Sequence, residues 1–299
     1  MNPFSFCVLY STFGKIKQKS MNQIVFLNGA FISESEACLS PNDRGFIFAD
    51  GVYEVTKFYN GKPFRFNDHL QRLKRSLNEL SIEFNTFDQL EEISFQLLQQ
   101  NNLMNEHAGI YWQITRGVHQ RVHHFPKDTE PTFYAFASPL PSDTEKLQKG
   151  IKVLLQEDIR WLRCDIKSVS LLPNTMLYNN AVNSGAGESI LLRDGYITEA
   201  THSSVFAVKN GTLVTRPLSN LILPGITRKV VLEQCAVHQI PVQEHLFTET
   251  DLLEMNELFI CGTGSEITPV VQVNDTLIGN GLPGPLTKII QQLFFEQVT

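Results

Sequence analysis

The chain has 299 residues, 42% apolar and 19% charged, with 25 basic against 31 acidic side chains and a net charge of −6. That composition excludes a disordered chain and a global basic field for nucleic acid or an anionic membrane, and at ~150 residues per domain the length predicts two domains. Five cysteines (Cys7, Cys38, Cys164, Cys235, Cys261), odd in number and without close pairs, predict neither a disulfide framework nor a four-cysteine zinc site; a reducing cytoplasm fits best.

Residues 1–20 read as a leader, disordered or produced by a wrongly chosen start. Their apolar stretch, 4–10, precedes Lys15, Lys17 and Lys19, the reverse of a signal peptide's order, and is too short to span a bilayer. From Met21 the pattern turns to hairpins. Asn28-Gly29 separates two apolar runs, and Asn60-Gly61 separates two more, each the signature of a two-residue turn. A helix follows, with Asn67 and Asp68 as N-cap candidates and Leu70, Leu73, Leu77 and Leu80 three or four apart. A second helix is predicted around 87–98 and strands at 109–115 and 132–136.

The Pro/Ser-rich stretch at 138–143 is the predicted linker, giving a small α+β domain over 21–138, a linker at 139–146 and a larger domain over 147–299. Beyond it come a strand at 151–155, a helix near 176–184, and hairpins around Arg193-Asp194-Gly195 and Asn210-Gly211. Pro224-Gly225-Ile226-Thr227 opens a helix running to about His238. Strands at 242–246 and 258–261 and a helix near 286–295 complete an α+β chain with mixed or antiparallel sheets.

Individual motifs leave the chemistry open. Gly262-Thr263-Gly264-Ser265 is either a turn or a loop whose backbone N–H groups approach a phosphate. His119, His123 and His124 are dense in histidine but lack the glutamate of an HExxH zinc helix. Arg121 and His123 would point the same way from an extended segment, which suits a substrate carboxylate as well as it suits a solvated turn. Lys167 is either a solvated surface group or, if Arg160, Trp161, Arg163 and Ile166 supply an apolar and cationic surround, a lysine suited to forming a Schiff base. Glu199 ends an apolar strand, where a carboxylate could hold a pyridinium nitrogen protonated.

Their order along the chain narrows the choice. The run from Glu157 to Ser168, Asp43-Arg44-Gly45 with Asp50-Gly51-Val52-Tyr53-Glu54-Val55, and Ser265-Glu266-Ile267-Thr268-Pro269-Val270 together resemble the fold-type-IV family of pyridoxal-phosphate enzymes. Within that family they are most similar to the D-amino-acid (D-alanine) aminotransferases. The resemblance spans about Met21 to Phe295 and implies a two-domain α+β fold and pyridoxal 5′-phosphate (PLP) as cofactor. It also implies transamination between D-amino acids and 2-oxo acids.

Carried over by position, it makes Lys167 the Schiff-base lysine and proton shuttle and Glu199 the partner of the pyridine nitrogen. Arg72, Ile226, Thr227 and Thr263 become the phosphate cup, and Leu223 the apolar contact to the cofactor ring. Tyr53, Arg121 and His123 become the trap for the substrate α-carboxylate. In the family the arginine and histidine come from a neighbouring subunit, which implies a homodimer with shared sites; no metal, nucleic acid or membrane partner is implied. An aminodeoxychorismate lyase or a branched-chain aminotransferase of the same fold is the alternative, with a non-catalytic or metal-binding relative a third. The Arg121/His123 pair favours the D-amino-acid reading. Four positions depart from the family pattern: His202 and Ser204 stand where small residues ending in asparagine are usual, and Gly262 and Gly264 replace hydroxyl side chains.

Overall fold

The structure, a computed structural model, describes residues 23–298; the leader expected at 1–20 lies outside them. β1 (Ile24–Leu27) and β2 (Ala30–Ser33) turn through Asn28 and Gly29, both at positive φ (47° and 94°). That left-handed pair matches the twist of the flanking strands, which is why Asn-Gly fixes the register with Leu27 opposite Ala30. After a short helix, α1 (Arg44–Phe48), the same device joins β3 (Gly51–Tyr59) to β4 (Lys62–Pro63) through Asn60-Gly61.

Two helices cover one face of this sheet. In α2 (Phe66–Glu79) the buried Leu73 and Leu77 lie one turn apart, and α3 (Leu90–Gln100) buries Leu90, Ile93 and Leu97. The N-cap of α2 is Arg65, at φ 55°, rather than Asn67 or Asp68, which fall in the first turn. There the Asp68 carboxylate faces the positive helix end and accepts from Lys229 Nζ at 2.6 Å. β5 (Ala108–Thr115) and β6 (Thr132–Pro139) complete an antiparallel sheet in the order β2-β1-β6-β5-β3-β4, with the fully buried Trp112 in its core.

The Pro/Ser-rich stretch is short and ordered. β6 runs to Pro139, and α4 (Thr144–Lys149) starts with Asp143 accepting from Lys146 N at 3.1 Å. The second sheet takes β7 (Ile151–Glu157), then α5 (Leu172–Asn183), β8 (Glu188–Arg193), β9 (Tyr196–Ala200), β10 (Ser204–Lys209) and β11 (Thr212–Thr215). α5 begins earlier than the expected residue 176 because Pro173 seats in its first turn, where a missing N–H costs nothing. α6 (Ile226–Val237), β12 (Val242–Glu244), α7 (Glu249–Leu253), β13 (Glu257–Gly262), β14 (Glu266–Val273), β15 (Thr276–Leu277) and α8 (Pro285–Phe295) follow.

The strand order is β12-β11-β10-β13-β14-β7-β8-β9, with β15 paired to β14. β7 runs parallel to both β14 and β8, and β11 parallel to β12, so the sheet is mixed. Apolar side chains fill both faces, one cluster around Val153, Ile190 and Phe247, the other joining Phe206 and Phe259 to α6 and α8. One buried carboxylate ties the two sheets together. Glu266 Oε1, on β14, accepts from Lys57 Nζ (2.9 Å) and Tyr59 OH (2.8 Å) on β3 and from Ser142 Oγ (2.8 Å). Burial and the Glu266 charge push the Tyr59 phenol well above its ordinary range, so it stays a donor.

Candidate active site

Side chains from both sheets meet around one cavity of about 300 Å³. Lys167 enters it on the chain that crosses from β7 toward α5, where Ser168 bridges Val52 and Tyr53 N donates to Lys167 O at 3.0 Å. Lys167 N donates to Ser76 Oγ on α2 at 3.2 Å, so its backbone is held from two sides. The amine lies 4.1 Å from the centroid of the Tyr53 ring, against its electron-rich face.

Glu199, on β9, is buried with one hydrogen-bond partner at each oxygen. Its Oε1 accepts from Arg160 Nη1 at 2.6 Å and its Oε2 from Leu223 N at 3.1 Å. Arg160 is gripped in turn by Asp158, with Nε–Oδ1 at 2.9 Å and Nη2–Oδ2 at 2.8 Å. Burial pushes the Glu199 carboxyl above the usual carboxylate range, against the opposing pull of Arg160 and the Leu223 N–H. The expectation that Arg160 and Arg163 form a cationic surround for Lys167 is therefore corrected: both guanidiniums are spent on carboxylates. Arg163 pairs with Asp165 at 3.0 Å and Glu79 at 2.5 Å near the surface.

A second charged pair lies beneath Arg72. Glu54, on β3 and fully buried, accepts from Arg72 Nε at 2.7 Å and Nη2 at 2.9 Å, and His69 Nδ1 lies 2.8 Å away. Burial alone would raise the Glu54 carboxyl, but the Arg72 charge and the hydrogen bonds from Arg72 and His69 outweigh it and hold it far below its ordinary value. Arg72 Nη1 also donates to Pro224 O at 3.1 Å, joining α2 to the start of α6. There Gly225 is the N-cap, and a Cβ on it would come within 2.7 Å of Ser204 Oγ. Ile226 and Thr227 begin the helix at the cavity wall, where unpaired N–H groups and the helix dipole favour an anion. Thr263 faces the same cavity from the turn between β13 and β14.

The structure thus brings Tyr53, Arg72, Lys167, Glu199, Leu223, Ile226, Thr227 and Thr263 to one cavity. Arg121 and His123 are not at it. They sit on an exposed loop after β5, with the Arg121 guanidinium 5.2 Å from the Phe48 ring centroid and the His123 ring 5.6 Å from it. Arg44 Nη1 fixes that loop by donating to Val122 O at 2.7 Å. The sequence did not reveal Glu54, His69 and Asp158 as the partners that hold Arg72 and Arg160 at the cavity. A lone glutamate inside the apolar strand Val52-Tyr53-Glu54-Val55 was the available signal, since a buried carboxylate needs partners.

The fold and this arrangement of lysine, carboxylate and anion-holding helix start define a class, and residues 51–273 match the family amino-transferase class IV. The chain belongs to that family. It is 41% identical to the D-alanine aminotransferase of Staphylococcus haemolyticus over 276 residues, 92% of this chain and 97% of that one. Among solved structures, the branched-chain amino acid aminotransferase of Escherichia coli superposes with a TM-score of 0.86 at 28% identity, covering 93% of this chain and 95% of that one. The PLP form of the branched-chain aminotransferase of Thermobaculum terrenum shares the fold, with a TM-score of 0.83 at 24% identity over 93% and 94% of the two chains.

Proposed function

We propose that this chain is a PLP-dependent aminotransferase that exchanges amino groups between D-amino acids and 2-oxo acids. The observation that carries the reading is one cavity lined by Lys167, the buried Glu199, and Arg72 beside the N-terminus of α6. These residues fit the cofactor on their own chemistry. The Glu199 carboxyl is pushed upward even with Arg160 beside it, so a further cationic N–H at that carboxylate would relieve its burial. Ile226, Thr227 and Thr263 would hold the phosphate beside Arg72, whose guanidinium Glu54 and Pro224 O orient at the cavity wall, with glycine at 225 keeping the helix start close to Ser204. Leu223 would pack against the ring, and the Lys167 amine would bond the aldehyde carbon.

When bound there, PLP supplies an electron sink that makes the substrate Cα–H acidic. The chain supplies the rest. Glu199, kept in place by Arg160 and Leu223 N, holds a proton on the ring nitrogen. Lys167 Nζ, on a backbone held from two sides, would move the substrate Cα proton as a general acid–base. Tyr53, Arg121 and His123 anchor the substrate α-carboxylate, and fixing that group sets which hydrogen faces Lys167. Because Arg121 and His123 lie on an exposed loop away from their own chain's cavity, the reading places them in the site of a second copy, as a homodimer. In this reading residues 21–138 and 147–299 are two domains with the cavity where they meet. The chain works in the cytoplasm, which the buried thiols of Cys164, Cys235 and Cys261 support; no helix among the described residues is long and apolar enough to cross a membrane.

A panel of half-reactions with D- and L-amino acids, followed through the cofactor's colour, tests the proposal. D-alanine and D-glutamate should convert the cofactor much faster than their L forms. Faster conversion by L-leucine or L-valine than by every D-amino acid would replace the reading with a branched-chain one.

A further inference from the structure

His202 belongs to none of the roles above, yet it lines the cavity from the turn between β9 and β10. Its side chain is 55% exposed, and Nδ1 lies 2.8 Å from Oε2 of Glu188, a carboxylate only 1% exposed. The other oxygen of Glu188 is already engaged, accepting from Ser189 N at 2.7 Å and from the Thr201 hydroxyl. When protonated, the imidazole is a cationic neighbour for this buried carboxylate, and burying a carboxylate without one is costly. Two further contacts fix the ring. The Thr201 hydroxyl is 3.0 Å from Nδ1, and the Tyr178 ring on α5 stands edge-on at 5.2 Å. Asn174, also on α5, holds the turn by donating to Thr201 O at 2.6 Å. With Nδ1 facing Glu188 Oε2 and the Thr201 hydroxyl, Nε2 is the ring nitrogen left for whatever enters the cavity, and it donates when the ring is protonated.

We propose that the Glu188–His202 pair is a specificity-determining element that recognises a second carboxylate on the substrate side chain. The inference rests on the transaminase reading of the cavity. Lys167 and Glu199 provide for the reacting carbon and the cofactor ring, Arg72, Ile226, Thr227 and Thr263 for its phosphate and Tyr53 for the α-carboxylate, which leaves the substrate side chain for a further donor at the wall. A carboxylate facing Nε2 completes a carboxylate–imidazolium–carboxylate row in which each nitrogen donates one charge-assisted hydrogen bond. A substrate with a methyl side chain gains nothing from that row. The pair therefore separates dicarboxylic from monocarboxylic amino and oxo acids.

The test compares the wild-type holoenzyme with His202→Ala and His202→Gln. Two ratios are read: kcat/KM for D-glutamate over D-alanine, and the dissociation constants of unreactive glutarate and butyrate. Losing a charged hydrogen bond should lower the D-glutamate preference about tenfold in His202→Ala and weaken glutarate relative to butyrate by a similar factor. His202→Gln, which keeps a donor but no charge, should fall between the two. Unchanged ratios in both variants would overturn the assignment, as would equal losses for the one-carboxylate and two-carboxylate ligands. If the wild type converts neither D-amino acid, the transaminase reading fails, and the glutarate-to-butyrate ratio still decides the role of His202.

Discussion

The wall of the cavity around Glu199 and the loop carrying Arg121 and His123 handle charge in opposite ways. At Glu199 every partner is internal: Arg160, Asp158 and Leu223 N close a buried network within one chain. On the loop the cations face outward, supported by the Phe48 ring and by the hydrogen bond from Arg44 to Val122 O. Internal pairing suits a group whose task is to hold one proton in one place, where solvent would screen it. Outward presentation suits groups that meet a ligand in a neighbouring molecule. In the proposed enzyme the chemistry is built into each chain and the substrate's anchor is lent by the partner.

Lys167→Ala should break the internal half most severely. Losing the positioned acid–base should reduce turnover by roughly a thousandfold, measured as kcat with D-alanine and 2-oxoglutarate. Arg121→Ala breaks the external half. Losing a charged hydrogen bond should lower kcat/KM for D-alanine by roughly ten- to a hundredfold while leaving the cofactor spectrum intact. Mixing the Lys167→Ala and Arg121→Ala chains sharpens the contrast, because a mixed dimer contains one site with both residues intact. Activity should then rise above that of either variant alone. Activity no higher than the parents' would show that the anchor is not shared.

Glu199→Gln should be milder, slowing the half-reaction about tenfold because a neutral amide holds the ring proton less firmly. Cofactor occupancy, read by absorbance, should remain full. The smallest change is a pH dependence at Glu54, whose folded-state carboxyl lies far below its unfolded value of about 4.5. A depressed carboxyl contributes stability in full above the unfolded value and loses it as pH falls toward the folded one. The contribution of the Glu54 charge to the melting-temperature gap between wild type and Glu54→Gln should therefore shrink as pH falls below about 4.5.

The turns were the most legible part of the fold. Asn-Gly at 28, 60 and 210 and Asp-Gly at 194 adopt positive φ at both residues, a local requirement that the sequence states directly. The N-cap of α2 was not legible, because Arg65 takes a left-handed conformation that its residue type does not favour. At the cavity, Lys167 and Glu199 were marked by their order along the chain and the family resemblance it carries, since the surroundings of each alone left the chemistry open. Their actual charge partners were not, since Arg160, Asp158 and Glu199 come together only when β7, β9 and the chain between them pack. Glu54 and His69 were hidden for the same reason: pairing between a strand and a helix 15 residues apart has no local periodicity. His202 stood out in sequence as an oversized residue, and its contact with Glu188 appeared only with the fold.

Borohydride reduction of the purified holoenzyme, followed by peptide mass analysis, tests the central claim most directly. The account predicts a reduced pyridoxyl adduct on Lys167, in the peptide containing Cys164-Asp165-Ile166-Lys167-Ser168. Recovery of the adduct on another lysine, or of unmodified Lys167 from fully occupied protein, would contradict it.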